Sequence, residues 1–106
     1  MSREHVEFIE LLFPMTATFG MDEREEIEEA LHSRLVSEGV GEVSGAGAGM
    51  GSMNLDVDVN QPWQHQPEAV RRIVLGVLKQ FNVPSTSTMR LFPLGDEKIR
   101  MSGDDL

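Results

Sequence analysis

The chain has 106 residues, the size of one domain, and its 40% hydrophobic content suffices for a single core without an internal ligand cavity. Its 18 acids against 9 bases give a net charge of −9, which repels phosphate and argues against general nucleic-acid binding. With no cysteine, disulfides, thiol catalysis, iron–sulfur clusters and thiolate zinc sites are excluded.

Val6 to Phe13 is a short apolar segment with Glu7 and Glu10 embedded, and it reads as a first strand. Its phase is ambiguous. Val6 and Phe8 share one face, whereas Ile9, Leu11 and Phe13 share the other, so either both faces are partly buried or a bulge shifts the register. After a loop at 14–21, Asp22 is placed as a helix N-cap, with Glu25 completing a capping box. The spacing predicts a helix over about 23–38, with Ile27, Ala30, Leu31 and Leu35 as its apolar stripe. Gly39 stands where a left-handed residue ends a helix, and Val40 is placed to fold back on Leu35.

Glycines at 45, 47, 49 and 51 follow, a poor composition for a strand interior. We expect a strand over about 41–47 that turns near 49–52 into the most informative stretch of the chain. There Met53, Leu55, Val57 and Val59 alternate without a break with Asn54, Asp56 and Asp58. That period of two belongs to a strand with one buried face.

A polar connector carrying Trp63 leads to Pro67, which suits the first position of a second helix. Val70, Ile73, Val74, Val77, Leu78 and Phe81 recur at helical period, predicting a helix over 67–81. Asn82 as a left-handed residue, Val83 over Leu78, and Pro84 form its stop. Residues 85–92 read as a final strand with Met89 and Leu91 on opposite faces. A turn at 93–96 then allows a short strand at 98–101, and an acidic tail at 102–106 follows an ordered core of about 5–101.

The order β-α-β-β-α-β, with right-handed crossovers, predicts an α+β fold of ferredoxin-like type: a two-layer sandwich with both helices on one face of a four-stranded antiparallel sheet. The first and third strands would lie in the middle, which puts Asn54, Asp56 and Asp58 at the centre of the open face. A five-stranded meander is the alternative. The acidic helix running into Gly41-Glu42-Val43-Ser44-Gly45 and a glycine-rich hairpin also resembles small stand-alone bacterial domains of this type. The resemblance spans Val6 to Phe92, and it carries no functional residue over.

Few residues offer chemistry. The glycine run lacks the Gly-Lys-Ser/Thr and the helix start that a phosphate-binding loop needs, so a tight hairpin or a close backbone approach explains it better. Asp56 and Asp58 share a strand face, and with Glu7 from a neighbouring strand they would offer oxygen ligands to a divalent cation of low affinity. Paired acids on an open strand are more commonly a solvated face. His5, His32 and His65 are not spaced as a ligand set. Trp63 either caps the core edge or anchors an interface. The acidic helix face of Glu25, Glu26, Glu28 and Glu29 serves solubility or docks a basic partner, with Arg71, Arg72 and Lys79 as intramolecular alternatives. Known activities on similar folds are not supported. The third strand is acidic where single-strand RNA modules are aromatic and basic, no Cys-x-x-Cys loop is present for copper, and the loop at 14–21 has no arginine for acyl-phosphate hydrolysis.

The expectation is a small acidic interaction or regulatory module, non-enzymatic and without a cofactor, that uses its open sheet face or an edge strand. Ile9, Asn54, Asp56, Asp58, Trp63 and Arg90 are its candidate interaction residues. Its partner would be a second copy or a protein with a basic patch, and not nucleic acid or a membrane. A regulatory domain holding a small ligand at a dimer interface is the alternative, and a cation binder through Asp56 and Asp58 the third reading. No signal pattern or long apolar run is present, so a cytoplasmic location is expected.

Overall fold

A computed structural model describes residues 5–93 and, as backbone, strand 97–100. The elements are β1 (Phe8–Pro14), α1 (Met21–Ser37), β2 (Gly41–Gly49), β3 (Ser52–Val59), α2 (Pro67–Leu78), β4 (Thr88–Phe92) and β5 (Glu97–Arg100). A 3-10 turn at Gln61–Trp63 precedes α2. The turn expected at 94–96 and the tail at 102–106 lie outside the described residues.

The fold is α+β, an antiparallel sheet with two helices. The strand order is β2-β3-β1-β4, with β5 added beyond β4. Strands β1 and β3 therefore lie in the middle, and the sheet is not a meander, which would set β1 beside β2. Register places Ile9, Leu11 and Phe13 of β1 opposite Val57, Leu55 and Met53 of β3. These residues are buried with Met89 and Leu91 of β4, and they form one core with Ile27, Leu31 and Leu35 of α1 and Val70, Val74, Val77 and Leu78 of α2. The period of two in the strands and the helical period in α2 thus meet in a single layer.

The ambiguity of the first strand has a local cause. Val6 is buried too, but its N–H donates to Gln64 O in the connector, outside the sheet ladder. It is therefore free of the alternation that sends Phe8 and Leu12 to the opposite face from Ile9 and Leu11. On β4 the expectation is corrected. Met89 and Leu91 are both fully buried, because residues two apart in an unbulged strand share a face.

Helix α1 starts two residues earlier than expected. Its N-cap is Gly20, whose N–H donates to the Glu23 carboxylate at 2.7 Å, so the acid that reaches back is Glu23 and not Glu25. Its C-terminus closes as expected. Gly39 has φ of 71°, Val40 N–H donates to Leu35 O and Gly39 N–H to Val36 O, and Leu35 and Val40 are both buried. Helix α2 ends at Leu78 and not at Phe81. Short bonds from Gln80 N to Val77 O and Phe81 N to Leu78 O tighten its end, and Asn82 has no positive φ. Phe81 still packs against the core edge, which is why the apolar spacing ran on past the helix.

The β2–β3 hairpin turns through Met50 and Gly51, with φ of 52° and 80°. Positive φ at both central residues is the two-residue hairpin geometry that favours Asn-Gly. Met50 is fully exposed and carries the cost of that conformation without packing in return. Met50→Asn is expected to stabilise the fold by about 1 kcal/mol, read as a raised denaturation midpoint. A lowered midpoint would contradict the turn geometry.

Candidate functional site

The sheet face turned away from the helices carries three short rows of side chains, and strand register sets them. The middle row is Gly45, Asp56, Glu10 and Arg90; on one side lie Glu42, Asp58, Phe8 and Phe92, on the other Gly47, Asn54, Leu12 and Thr88. Asp56 and Glu10 are cross-strand partners, an unfavourable like-charge pair, and Arg90 stands directly on the other side of Glu10. Arg90 also lies over the Phe92 ring, 5.4 Å from its centroid, and Phe92 meets Phe8 at 6.0 Å between centroids. Phe8, Glu10, Leu12, Arg90 and Phe92 are half-buried, whereas Asp58 is exposed. The face is thus acidic on β3 and β1, apolar along β1, and cationic at Arg90.

The glycine run belongs to this face. A Cβ on Gly47 would approach Asn54 Oδ1 to 2.8 Å, and one on Gly45 would approach Asp56 Oδ2 to 3.2 Å. These glycines make room for β3 side chains to lean across β2, where the Asn54 amide donates to Asp56 at 3.1 Å. Ser44 is the extra residue of a bulge between Val43 and Gly45, which keeps the glycines on the open face. The run opens no helix, since Gly45, Gly47 and Gly49 lie in strand β2 and Gly51 in the hairpin turn, so it lacks the geometry of a phosphate-binding loop.

The expected site residues are only partly brought together. Asn54, Asp56, Asp58 and Arg90 share the open face. Ile9 does not; it is fully buried in the core, and the β1 residues on the open face are Phe8, Glu10 and Leu12. Glu7 does not join Asp56 and Asp58 either. It precedes β1 and its carboxylate pairs with His5 at 2.8 Å, so Glu10 is the acid beside Asp56. Among the described residues no group of three or more histidines or carboxylates is arranged to hold a metal ion. Trp63 is half-buried against the core, in the 3-10 turn and not in the rows of the open face.

Three features escaped the sequence reading. His5 and His65 come together, with ring centroids 5.7 Å apart, because Val6 bonds to Gln64 across the chain. Arg24 extends the buried stripe of α1 and is only 6% exposed, and its Nη1 donates to Gly47 O at 2.9 Å. Eight residues on, His32 Nδ1 accepts from Val43 N–H at 3.1 Å. Two side chains of α1 thus engage backbone groups of the edge strand β2, which reduces its availability to a further strand. The only forewarning was the position of Arg24 at i−3 from Ile27.

The acidic face of α1 is not neutralised by α2. Arg71 pairs with Glu68 of its own helix at 2.6 Å, and Arg34 pairs with Glu38 of α1. Among the described residues no helix is long and apolar enough to cross a membrane. No protein family, curated protein or solved structure matches the chain.

Proposed function

We propose that this chain is a ferredoxin-like, non-enzymatic interaction module that pairs with a second copy of itself through the open sheet face. The strand order β2-β3-β1-β4, with a helix in each β-α-β crossover, supports the architecture, and β5 is an addition at one edge. The observation that carries the pairing is the middle row, in which Asp56 and Arg90 flank Glu10 at equal spacing.

Symmetry decides how such a face meets its copy. A two-fold axis across the strands sets β3 on β3 and, placed between the two aspartates, confronts Asp56 with the partner's Asp58 in both directions. An axis along β1 instead exchanges β3 and β4, which lie about 4.8 Å to either side of it, and brings Arg90 over the partner's Asp56 in both directions. Phe8 and Leu12 then meet their mates on the axis, and Glu10 meets its mate between two Arg90 guanidinium groups. The half-buried apolar residues of β1 lose their remaining water contact, and the like-charge strain within each sheet is offset.

Light scattering at tens of micromolar is expected to give a dimer mass, and Leu12→Arg a monomer. Asp56→Arg and Arg90→Asp should each weaken the dimer, and the double variant should restore it, because the exchange leaves both contacts between positions 56 and 90 across the interface opposite in sign. A wild-type monomer at high concentration, or a double variant weaker than both singles, would defeat the proposal.

A further inference from the structure

We infer that the groove between α1 and the end of α2, on the opposite side of the molecule from the open sheet face, docks a basic segment of a partner protein that carries an apolar anchor. Two clefts run into each other along this groove and share Glu26 and Phe81. One, of about 180 Å³, lies between Glu23, Phe19 and Phe81; the other, of about 370 Å³, is lined by Glu29, Ala30 and Ser33 with the shared pair. Phe19, Ala30 and Phe81 supply the apolar lining, the glutamates the charge, and Thr18, Ser33 and Asn82 neutral polar groups. No lysine or arginine lines either cleft.

Charge selects the occupant. Glu26 and Glu29 have no side-chain hydrogen bond or ion pair among the described residues, whereas Glu23 is held by Gly20 N–H and Glu68 by Arg71. Helix α2 ends beside the groove at Leu78 and helix α1 starts beside it at Met21, so the two helix dipoles oppose there and the carboxylates set the field. The whole chain, at −9, steers cations toward itself. Such a field rejects nucleic acid and anionic lipid, and it favours lysine or arginine.

Shape selects the rest. The α1 residues of the groove, Glu23 to Ser33, span ten steps of helical rise, about 15 Å, which matches roughly three turns of a bound helix. Phe81 has left helix α2 and presents a half-buried ring as the wall common to both clefts. An apolar side chain of the segment covers that ring and Ala30, and the flanking cations meet Glu26 and Glu29. Ring and carboxylates side by side suit a guanidinium or an ammonium on an alkyl stem.

The probe is a fluorescein-labelled synthetic amphipathic helix of leucine and lysine, titrated with the full chain at physiological salt and followed by anisotropy. Glu26→Lys with Glu29→Lys should weaken binding at least about tenfold, and Ser33→Lys alone by about threefold. Glu25→Lys with Glu28→Lys makes the same charge change on the other flank of α1 and should cost less than about threefold. Leu12→Arg, which disrupts the sheet-face dimer, should leave the affinity unchanged, so the two interfaces stand or fall separately. The inference is overturned if the wild-type chain does not bind, if the two charge-reversal pairs weaken binding equally, or if Leu12→Arg abolishes it. Circular dichroism of each variant confirms the fold, and these substitutions touch only surface or half-buried side chains of the helices and the open face.

Discussion

Gly41→Ala is expected to destabilise the fold by about 3 kcal/mol, among the largest effects of any single methyl group in this chain. A Cβ at Gly41 would lie 2.1 Å from Asp58 O and 3.2 Å from Val59 Cα, both backbone atoms of the neighbouring strand. Backbone cannot rotate aside as a side-chain tip can. The segment is also pinned on both sides, since Asn60 N–H donates to Val40 O and its amide to Gly39 O. Either β2 parts from β3 at this end or the close of α1 is displaced. Gly45→Ala meets only the Asp56 carboxylate and should cost about 1 kcal/mol, and Gly49→Ala has open space around it and should be close to neutral. A denaturant series over the three variants checks the order. Equal costs at 41 and 49 would contradict the β2–β3 register.

That series separates what the glycines do, which composition alone did not. As a run they read as a hairpin or a close approach, and both descriptions hold, at different positions. Gly51 serves the turn, Gly41 the backbone contact, and Gly45 and Gly47 the lean of Asp56 and Asn54 across β2. Elsewhere the sequence was most legible where one strong period acted alone, as in Met53–Val59 and in the face from Val70 to Leu78. The end of α1 was equally clear, because Gly39 and the Leu35–Val40 contact are local. Boundaries were less so. Asp22 with Glu25 has the spacing of a capping box, Gly20 with Glu23 has the same spacing, and only the bond from Gly20 N–H to Glu23 decides between them. Phe81 keeps helical spacing with Leu78 although the backbone has left the helix, since an apolar residue packs on the core edge from either conformation.

The open face was legible by strand but not by register. Asn54, Asp56 and Asp58 follow from alternation alone. Their neighbours depend on which residue of β1 stands opposite, and the sequence cannot distinguish Glu7 from Glu10 while the phase of β1 is undecided. The error over Ile9 has the same origin. Arg24 was hidden for a different reason: a charged residue on the buried face of a helix breaks the pattern used to find that face, and its partner is a backbone carbonyl, which leaves no mark in composition.

The phase of β1 therefore has the widest consequences, and Leu11 and Leu12 test it directly. Leu11 is fully buried between Leu55 of β3 and Met89 of β4, so Leu11→Ala removes buried methyl groups in the middle of the core and leaves a cavity that both strands hold open. The expected cost is about 2–5 kcal/mol. Leu12 is the adjacent residue of the same type, half-buried on the open face beside Asn54 and Thr88. Leu12→Ala leaves no enclosed cavity and should cost about 1 kcal/mol or less when measured below the concentration at which copies pair. Asp58→Asn, at an exposed position on the same face, should also stay under about 1 kcal/mol. Raising the protein concentration adds a second reading. Pairing through the open face makes Leu12→Ala costlier as the concentration rises, because the folded dimer is linked to folding, and leaves the cost of Leu11→Ala nearly unchanged. If Leu12→Ala proved the costlier change at low concentration, the core would lie on the other face of β1, and the row of Asp56, Glu10 and Arg90 would dissolve with it.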